Sequence, residues 1–305
     1  MGIGDDAAAW QPSRSHRSVI ATDMLVDGVH FLFSNMPPHS IGHRAMAANL
    51  SDLAAMGARP VLATVALGVA PNTTEAWILE AYRGMATLAA EYGTRIVGGD
   101  IVRAPAAVFS VTVVGEVSTG RLKRRDGGRA GDTLAVTGPL GASRAGLELV
   151  RNGKRFAGER FADALQTFCA PVPRIREGAW LAASRAVHAM MDLSDGLSTD
   201  VQRLARASGC GAVLEEVPVH AAAVAVASET SADPREWALS GGEDFELALA
   251  VAPRAFPYLA GRFAARFGRR LYAVGRLTAS EGLFVAEPGG QPEALQARGW
   301  DHLRS

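Results

Sequence analysis

Apolar residues change their spacing along this chain at short intervals. Residues 18–22 (SVIAT), 61–69 (VLATVALGV) and 107–117 (AVFSVTVVGEV) are rich in β-branched residues and read as strands. The third is bounded by Pro105 and by the polar stretch 118–120. Between them, apolar positions recur at helical spacing over 40–56, closing on Gly57, and over 74–92, with Thr74 as a cap and Gly93 as a stop. A short strand at 95–97 leads into Gly98, Gly99 and Asp100.

The pattern lapses at 119–132 (TGRLKRRDGGRAGD), which is basic, glycine-rich and almost without large apolar residues. It reads as the connection between two domains, 1–118 and 119–305. Beyond it, predicted strands at 133–137, 186–191, 212–215, 245–251, 271–274 and 283–286 alternate with predicted helices at 142–151, 174–185, 198–208 and 256–267. Such alternation predicts a mixed α/β or α+β architecture. The apolar runs 61–69 and 107–117 are compatible with a sheet buried on both faces.

Composition narrows the function classes. The 305 residues are 48% hydrophobic and 20% charged, and 31 basic residues balance 31 acidic ones. That balance excludes a disordered solvating chain and offers no global basic field for nucleic acid. Only Lys123 and Lys154 are lysines, and neither completes a G-x-x-x-x-G-K-[ST] loop. Nucleotide phosphates, if bound, are neutralised without a Walker lysine. Cys169 and Cys210 are far apart and fit no zinc spacing, so they read as reduced thiols. With neither a signal-peptide pattern nor an apolar run of membrane length, the expectation is a cytoplasmic protein away from membranes.

The chemistry-bearing signal is the placement of aspartates. Asp5 and Asp6 follow glycines, Asp23 follows the first strand, and Asp100 follows Gly98 and Gly99. Asp52 lies three residues after Asn49, on the same helix face. Asp192, Ser194 and Asp195 follow another strand, and Glu243 and Asp244 follow Gly241 and Gly242. Any one Asp-Gly pair is a turn former. Six such places in one chain favour oxygen ligands for a hard cation, because Mg²⁺ bridges a few carboxylates to substrate phosphates. On residue pattern alone, the reading is a metal-dependent enzyme acting on phosphates.

Longer blocks are more specific: GIGDDAA (2–8), TDMLVDGVHF (22–31), ANLSDLAAMGA (48–58), GGD (98–100), RDGGRAGD (125–132), MDLSDGLSTD (191–200), SGGEDFEL (240–247) and GWDH (299–302). In this order they resemble the thiamine-monophosphate kinase family, within the superfamily of aminoimidazole ribonucleotide synthetase and selenophosphate synthetase. The resemblance implies a two-domain aminoimidazole ribonucleotide synthetase-like fold, α/β plus α+β, with the N-terminal sheet forming a homodimer interface and the site between domains. It implies ATP-dependent phosphorylation of thiamine monophosphate to thiamine diphosphate, with several Mg²⁺ ions. Carried over, Asp6, Thr22, Asp23, Asp52, Asp100, Asp192 and Asp195 match metal positions, with Asp195, Asp52 and Asp100 expected to carry the catalysis. Tyr82, Gly99, Asp100, Arg125 and Ser194 match ATP positions; His30, Glu243 and Trp300 match positions facing thiamine monophosphate.

Read on residue type alone, His30 is a structural histidine, Tyr82 a core residue and Trp300 an apolar anchor. Arg125 reads equally as a phosphate clamp or a solvated loop arginine. Two departures stand out. In the family, a helical segment that helps cover the active site precedes the first block, which here begins at Gly2. Less complete enclosure of the nucleotide is therefore expected, or a start upstream. Ala21 stands where some relatives place a hydroxyl residue before Thr22. The absence of a cysteine near the N-terminus, and of an early lysine, argues against selenophosphate formation.

Overall fold

A computed structural model describes residues 10–152, 158–287 and 290–299. The first sheet contains β1 (His16–Val26), β2 (Arg59–Val69), β3 (Arg95–Arg103) and β4 (Val108–Ser118), in the order β1-β4-β2-β3. β4 runs antiparallel to both neighbours, and β2 and β3 are parallel. The helices α1 (Pro38–Ala55) and α2 (Glu75–Glu91) belong to the same half. Thr74 caps α2 as expected, its hydroxyl accepting from the Trp77 N–H.

β3 is longer than its apolar run, because pairing with β2 continues through Gly98, Gly99 and Asp100 to Arg103. Asp100 is therefore inside a strand rather than at its end. Gly99 is required there: a Cβ would lie 1.9 Å from the Val65 carbonyl oxygen.

Among the described residues, α1 and α2 cover one face of this sheet. On the other face Leu62, Val97 and Val114 form a small apolar cluster apart from the main core. Ile20 and Met24 stay 65% and 56% exposed, an apolar surface that matters below.

The second sheet contains β5 (Thr133–Val136), β6 (Val187–Asp192), β7 (Gly211–Leu214), β8 (Leu247–Val251), β9 (Tyr272–Thr278), β10 (Leu283–Val285) and β11 (Glu293–Ala294). Its order is β11-β10-β7-β9-β5-β8-β6, antiparallel except where β10 meets β7. Its helices are α3 (Ala142–Asn152), α4 (Ala162–Cys169), α5 (Ile175–Ala182), α6 (Leu197–Ala207), α7 (Ala221–Thr230), α8 (Pro234–Ser240) and α9 (Phe256–Phe267). The pattern reading passed over α4, α7 and α8. In α7 the alanine run shows no one-sided stripe. In α8 the signal was a cap, since the Asp233 carboxylate accepts from the Arg235 N–H and Pro234 opens the helix.

α1 holds the two halves together. It packs against β1, β4 and α2 on one side and against α4, α5 and β6 on the other. Apolar residues from both sheets accordingly form one continuous core. Gly42 and Gly84 let α1 and α2 touch: a Cβ at Gly42 would lie 1.8 Å from the Ala81 carbonyl oxygen. Among the described residues no helix is long and apolar enough to cross a membrane.

Candidate active site between the domains

α1 is apolar on nearly every side, yet its C-terminal half carries Asn49, Ser51 and Asp52 in close succession. Asn49 is fully buried, and its Oδ1 accepts from the Asp23 N–H at 2.9 Å. Its own amide donates to the Ala45 carbonyl at 2.9 Å, which fixes the orientation. The buried Ser51 hydroxyl donates to Asp192 Oδ2 at 2.8 Å, across the domain boundary. One helix thus pins Asp23 of β1 and Asp192, the last residue of β6, both close enough to Asp52 to repel it.

The second half supplies a turn. After Asp192, residues Ser194, Asp195 and Gly196 lead into α6, where Asp200 stands in the first turn. Asp200 is completely buried; its Oδ2 accepts from the Ser194 N–H at 3.0 Å and the Asp195 N–H at 2.9 Å. Arg203 donates to Asp195 and, at 3.0 Å, to Asp200. Two backbone amides and one guanidinium shape the loop before any ligand arrives.

These carboxylates repel one another. Burial, then Asp192 and Asp23, raise the Asp52 carboxyl to about 8, with Arg125 in opposition. Burial raises Asp192 as well, with Asp23 adding to it and Ser51 and Arg125 opposing. Asp23 is raised by burial and by Asp195. Burial and Asp192 lift Asp200 to about 7. Two such charges about 4 Å apart repel by ~4 kcal/mol at an effective dielectric of 20. The donor set is all oxygen with a surplus of negative charge, which suits a hard cation. Among the described residues no three such side chains form a ready-made cage.

A cleft of about 340 Å³ brings Asp23, Ser194 and Asp195 together with His30, Arg151 and Glu243. The loop bearing Glu243 is fastened to the aspartate turn: the Glu243 N–H donates to the Ser194 carbonyl at 2.8 Å, and the Phe245 N–H to Leu193 at 3.0 Å. Glu243 and Phe245 adopt φ of 57° and 49°, backbone conformations that side chains disfavour and that surrounding contacts must hold. The Glu243 carboxylate accepts from Arg44 at 2.7 Å, and His30 Nδ1 accepts from the Val26 N–H at 3.1 Å. A basic cavity of about 740 Å³, lined by Arg144, Arg151, Arg203 and Arg298, adjoins the cleft at Arg151. A third cavity, about 570 Å³ beside Cys210, shares Gln202 with the basic cavity but is lined by none of the site aspartates.

Other expected site residues stand elsewhere in the protomer. Asp100 pairs with Ala66, which pairs with Ser110, which pairs with Met24 of β1. It is therefore three strand spacings from β1, roughly 14 Å, on the exposed face. Gly99 is its neighbour on that edge. Thr22 points to the same face, its hydroxyl donating to the Val111 carbonyl and accepting from Thr112. Tyr82 lies half-buried on α2, and burial raises its hydroxyl. Arg125 is exposed but close enough to bias Asp52 and Asp192. Asp6 and Trp300 lie outside the described residues. The residue before Trp300, Gly299, donates its N–H to Thr199 Oγ1 at 2.9 Å, beside the aspartate turn.

Sequence reasoning missed Arg44, Ser51, Asp200 and Arg203. Arg44 had a signal: a lone arginine within an apolar helix is a charge that must be paired inside. Asp200 was legible only as the last letter of MDLSDGLSTD, since its role is to accept from the turn before it.

Residues 4–117 match the family AIR synthase related protein, N-terminal domain, and residues 129–286 match its C-terminal domain. The chain is similar to thiamine-monophosphate kinase of Synechococcus elongatus, with 39% identity over 82% of this chain and 77% of that protein. It is similar to thiamine-monophosphate kinase of Escherichia coli (strain K12), with 36% identity over 99% of this chain and 92% of that protein. A solved structure of AaThiL complexed with AMPPCP and TMP superposes with a TM-score of 0.84 and 31% identity, covering 99% of this chain and 92% of that one.

Proposed function

The chain belongs to the AIR synthase related family and, within it, to the thiamine-monophosphate kinases, and we propose that it transfers the γ-phosphoryl group of ATP to thiamine monophosphate, giving thiamine diphosphate and ADP. The observation that carries this reading is the meeting of mutually repelling aspartates with His30 and Glu243 along one interdomain boundary. A likeness to a complex of AMPPCP and TMP supports the two substrates.

The acceptor is itself a phosphate monoester, already an anionic nucleophile, so the protein need not supply a strong base. Its task is to hold two anions in line while charge passes between them. Asp23, Asp52, Asp192 and Asp195 would hold Mg²⁺, with Asp6 joining them. When bound, the metal neutralises the phosphates and acts as a Lewis acid on the group in transfer. Arg125 offers a fork of donors to a nucleotide phosphate. Asp200 and Arg203 keep the Ser194–Asp195 turn in shape. The Glu243 carboxylate suits the cationic, amine-bearing thiamine moiety, and His30 lies beside it in the cleft.

The exposed apolar face of the first sheet fits a second copy of the chain, and the homodimer is part of this proposal. Asp100 lies on that face, with Gly99 next to it on the edge strand, and both would serve the ATP site of the facing protomer. Mixing Asp52→Asn with Asp100→Asn subunits, each inactive alone, should then restore about one quarter of wild-type turnover, because half the dimers carry one intact site. No recovery in a mixed dimer would place Asp100 in its own protomer's site.

Purified protein given ATP, thiamine monophosphate and Mg²⁺ is expected to yield thiamine diphosphate and ADP in equal amounts, and EDTA to abolish both. ADP release only with ring-closure or selenium substrates would assign the site to another reaction of the superfamily. Sedimentation as a monomer at working concentration would remove the dimer from the proposal.

A further inference from the structure

A buried guanidinium is costly unless most of its donors are matched, and Arg44 matches both terminal nitrogens while its Nε is left without a hydrogen-bond partner. Arg44, two turns into α1, is 1% exposed. Its Nη2 donates to Glu243 at 2.7 Å and to the His30 carbonyl at 3.3 Å. Its Nη1 donates to the Phe168 carbonyl at the end of α4, and the guanidinium carbon lies 4.0 Å above the Phe168 ring. One side chain from the N-terminal half therefore grips three segments remote in sequence, two of which carry the residues assigned above to the acceptor. Glu243 is the more demanding of these, because its backbone sits at positive φ.

We propose that Arg44 is a positioning residue for the acceptor substrate. It presents the Glu243 carboxylate and the His30 loop to the thiamine moiety while remaining too deeply buried to touch it. The proposal rests on the reading of Glu243 and His30 as acceptor-facing. Arginine is the residue the task requires. Its planar fork reaches two acceptors from one end and a third from the other, and it stacks on an aromatic face, a combination that a lysine ammonium lacks.

A purely structural Arg44 makes a different demand on kinetics. Lost folding lowers the number of active sites and leaves both KM values alone. Lost positioning falls on the acceptor. The test measures KM for each substrate, with kcat per folded site, in Arg44→Lys, Glu243→Gln and the double variant. Expected are an increase of tenfold or more in KM for thiamine monophosphate in each single variant and a KM for ATP within twofold of wild type. The double variant should be no more than twofold worse than E243Q, since both changes break one unit. Independent, multiplying losses in the double variant would overturn the proposal, as would a common shift of both KM values or an unmoved acceptor KM.

Should R44K not fold, Arg44→Met, apolar and of similar volume, carries the same test, because Glu243 retains access to water from the cleft. Calorimetric binding of thiamine monophosphate to each variant gives the coupling without turnover. If wild type makes no thiamine diphosphate, the functional reading fails while the binding data still decide the Arg44–Glu243 coupling. If wild type turns over and the coupling is absent, the Arg44 proposal alone falls.

Discussion

Two groups of buried acids in this molecule behave in opposite ways. Glu246 and Asp192 are alike in exposure, 4% and 6%. Burial would raise the Glu246 carboxyl, yet Arg174 and Arg269 outweigh it and hold that group below the usual carboxylate range. Arg174 reaches it at 2.7 and 3.1 Å, Arg269 at 2.6 Å and the Thr137 hydroxyl at 2.6 Å. Around Asp192 the neighbours are Asp23 and Asp52, with a single exposed arginine opposing them. Equal burial with opposite company separates the two. Where cations and donors saturate an acid, it serves the fold; where acids face one another in surplus, the proposed Mg²⁺ would supply the missing charge.

The contrast can be broken at either end. The largest effect is expected from Asp52→Asn, which should lower kinase turnover by about a thousandfold, or ~4 kcal/mol of transition-state stabilisation. Urea unfolding of the same metal-free variant at neutral pH should instead show it more stable than wild type, because the amide is neutral in both states whereas Asp52 must take up a proton on folding. Glu246→Ala should do the reverse. It takes the main partner from two half-buried guanidinium groups, which keep Glu177 nearby, and should cost about 1–3 kcal/mol in unfolding free energy, with the remaining folded protein keeping its KM values.

An intermediate effect is expected from pH. Asp52 and Asp200 bind protons more tightly folded than unfolded, with folded values of about 8 and 7 against an ordinary 3.8. Their contribution is complete in acid and is lost as pH rises, so metal-free stability should fall between pH 5 and 8. The slope is at most about 1.4 kcal/mol per pH unit for each proton in transit. Thermal melts with EDTA and then with Mg²⁺ check this, and added Mg²⁺ should flatten the slope. A stability that rises with pH over this range would undo the assignment of the surplus. Smallest is Ser51→Ala, which removes one hydrogen bond to Asp192 and should cost about 1 kcal/mol in stability, with a modest rise in the Mg²⁺ concentration needed for half-maximal turnover.

Much of this was legible in the chain. The strands of the first sheet and the helices α1 and α2 follow from apolar spacing, and the aspartate blocks single out Asp23, Asp52, Asp192 and Asp195, which the fold makes neighbours. What escaped has a common physical cause. Arg44, Ser51 and Asp200 act by meeting partners from other segments: Glu243, Asp192 and the Ser194–Asp195 amides. No local period encodes such meetings. α7 escaped for a related reason, because an alanine-rich helix buried against several neighbours carries no stripe. β3 was cut short because glycines ended its apolar run while the backbone pairing with β2 went on.

The double-sided burial of α1 bears on heredity as well as on mechanics. Of its eighteen positions only His39 is exposed; the rest meet a sheet, a helix or the opposite domain. A helix with no outward face has almost no silent sites, so coding changes that drift freely on α2 or α9 would be purged here. A saturation library should therefore show its deepest intolerance along 41–55, in a continuous band rather than at every third or fourth residue. Such a band would mark the segment where the lineage has had the least room to vary.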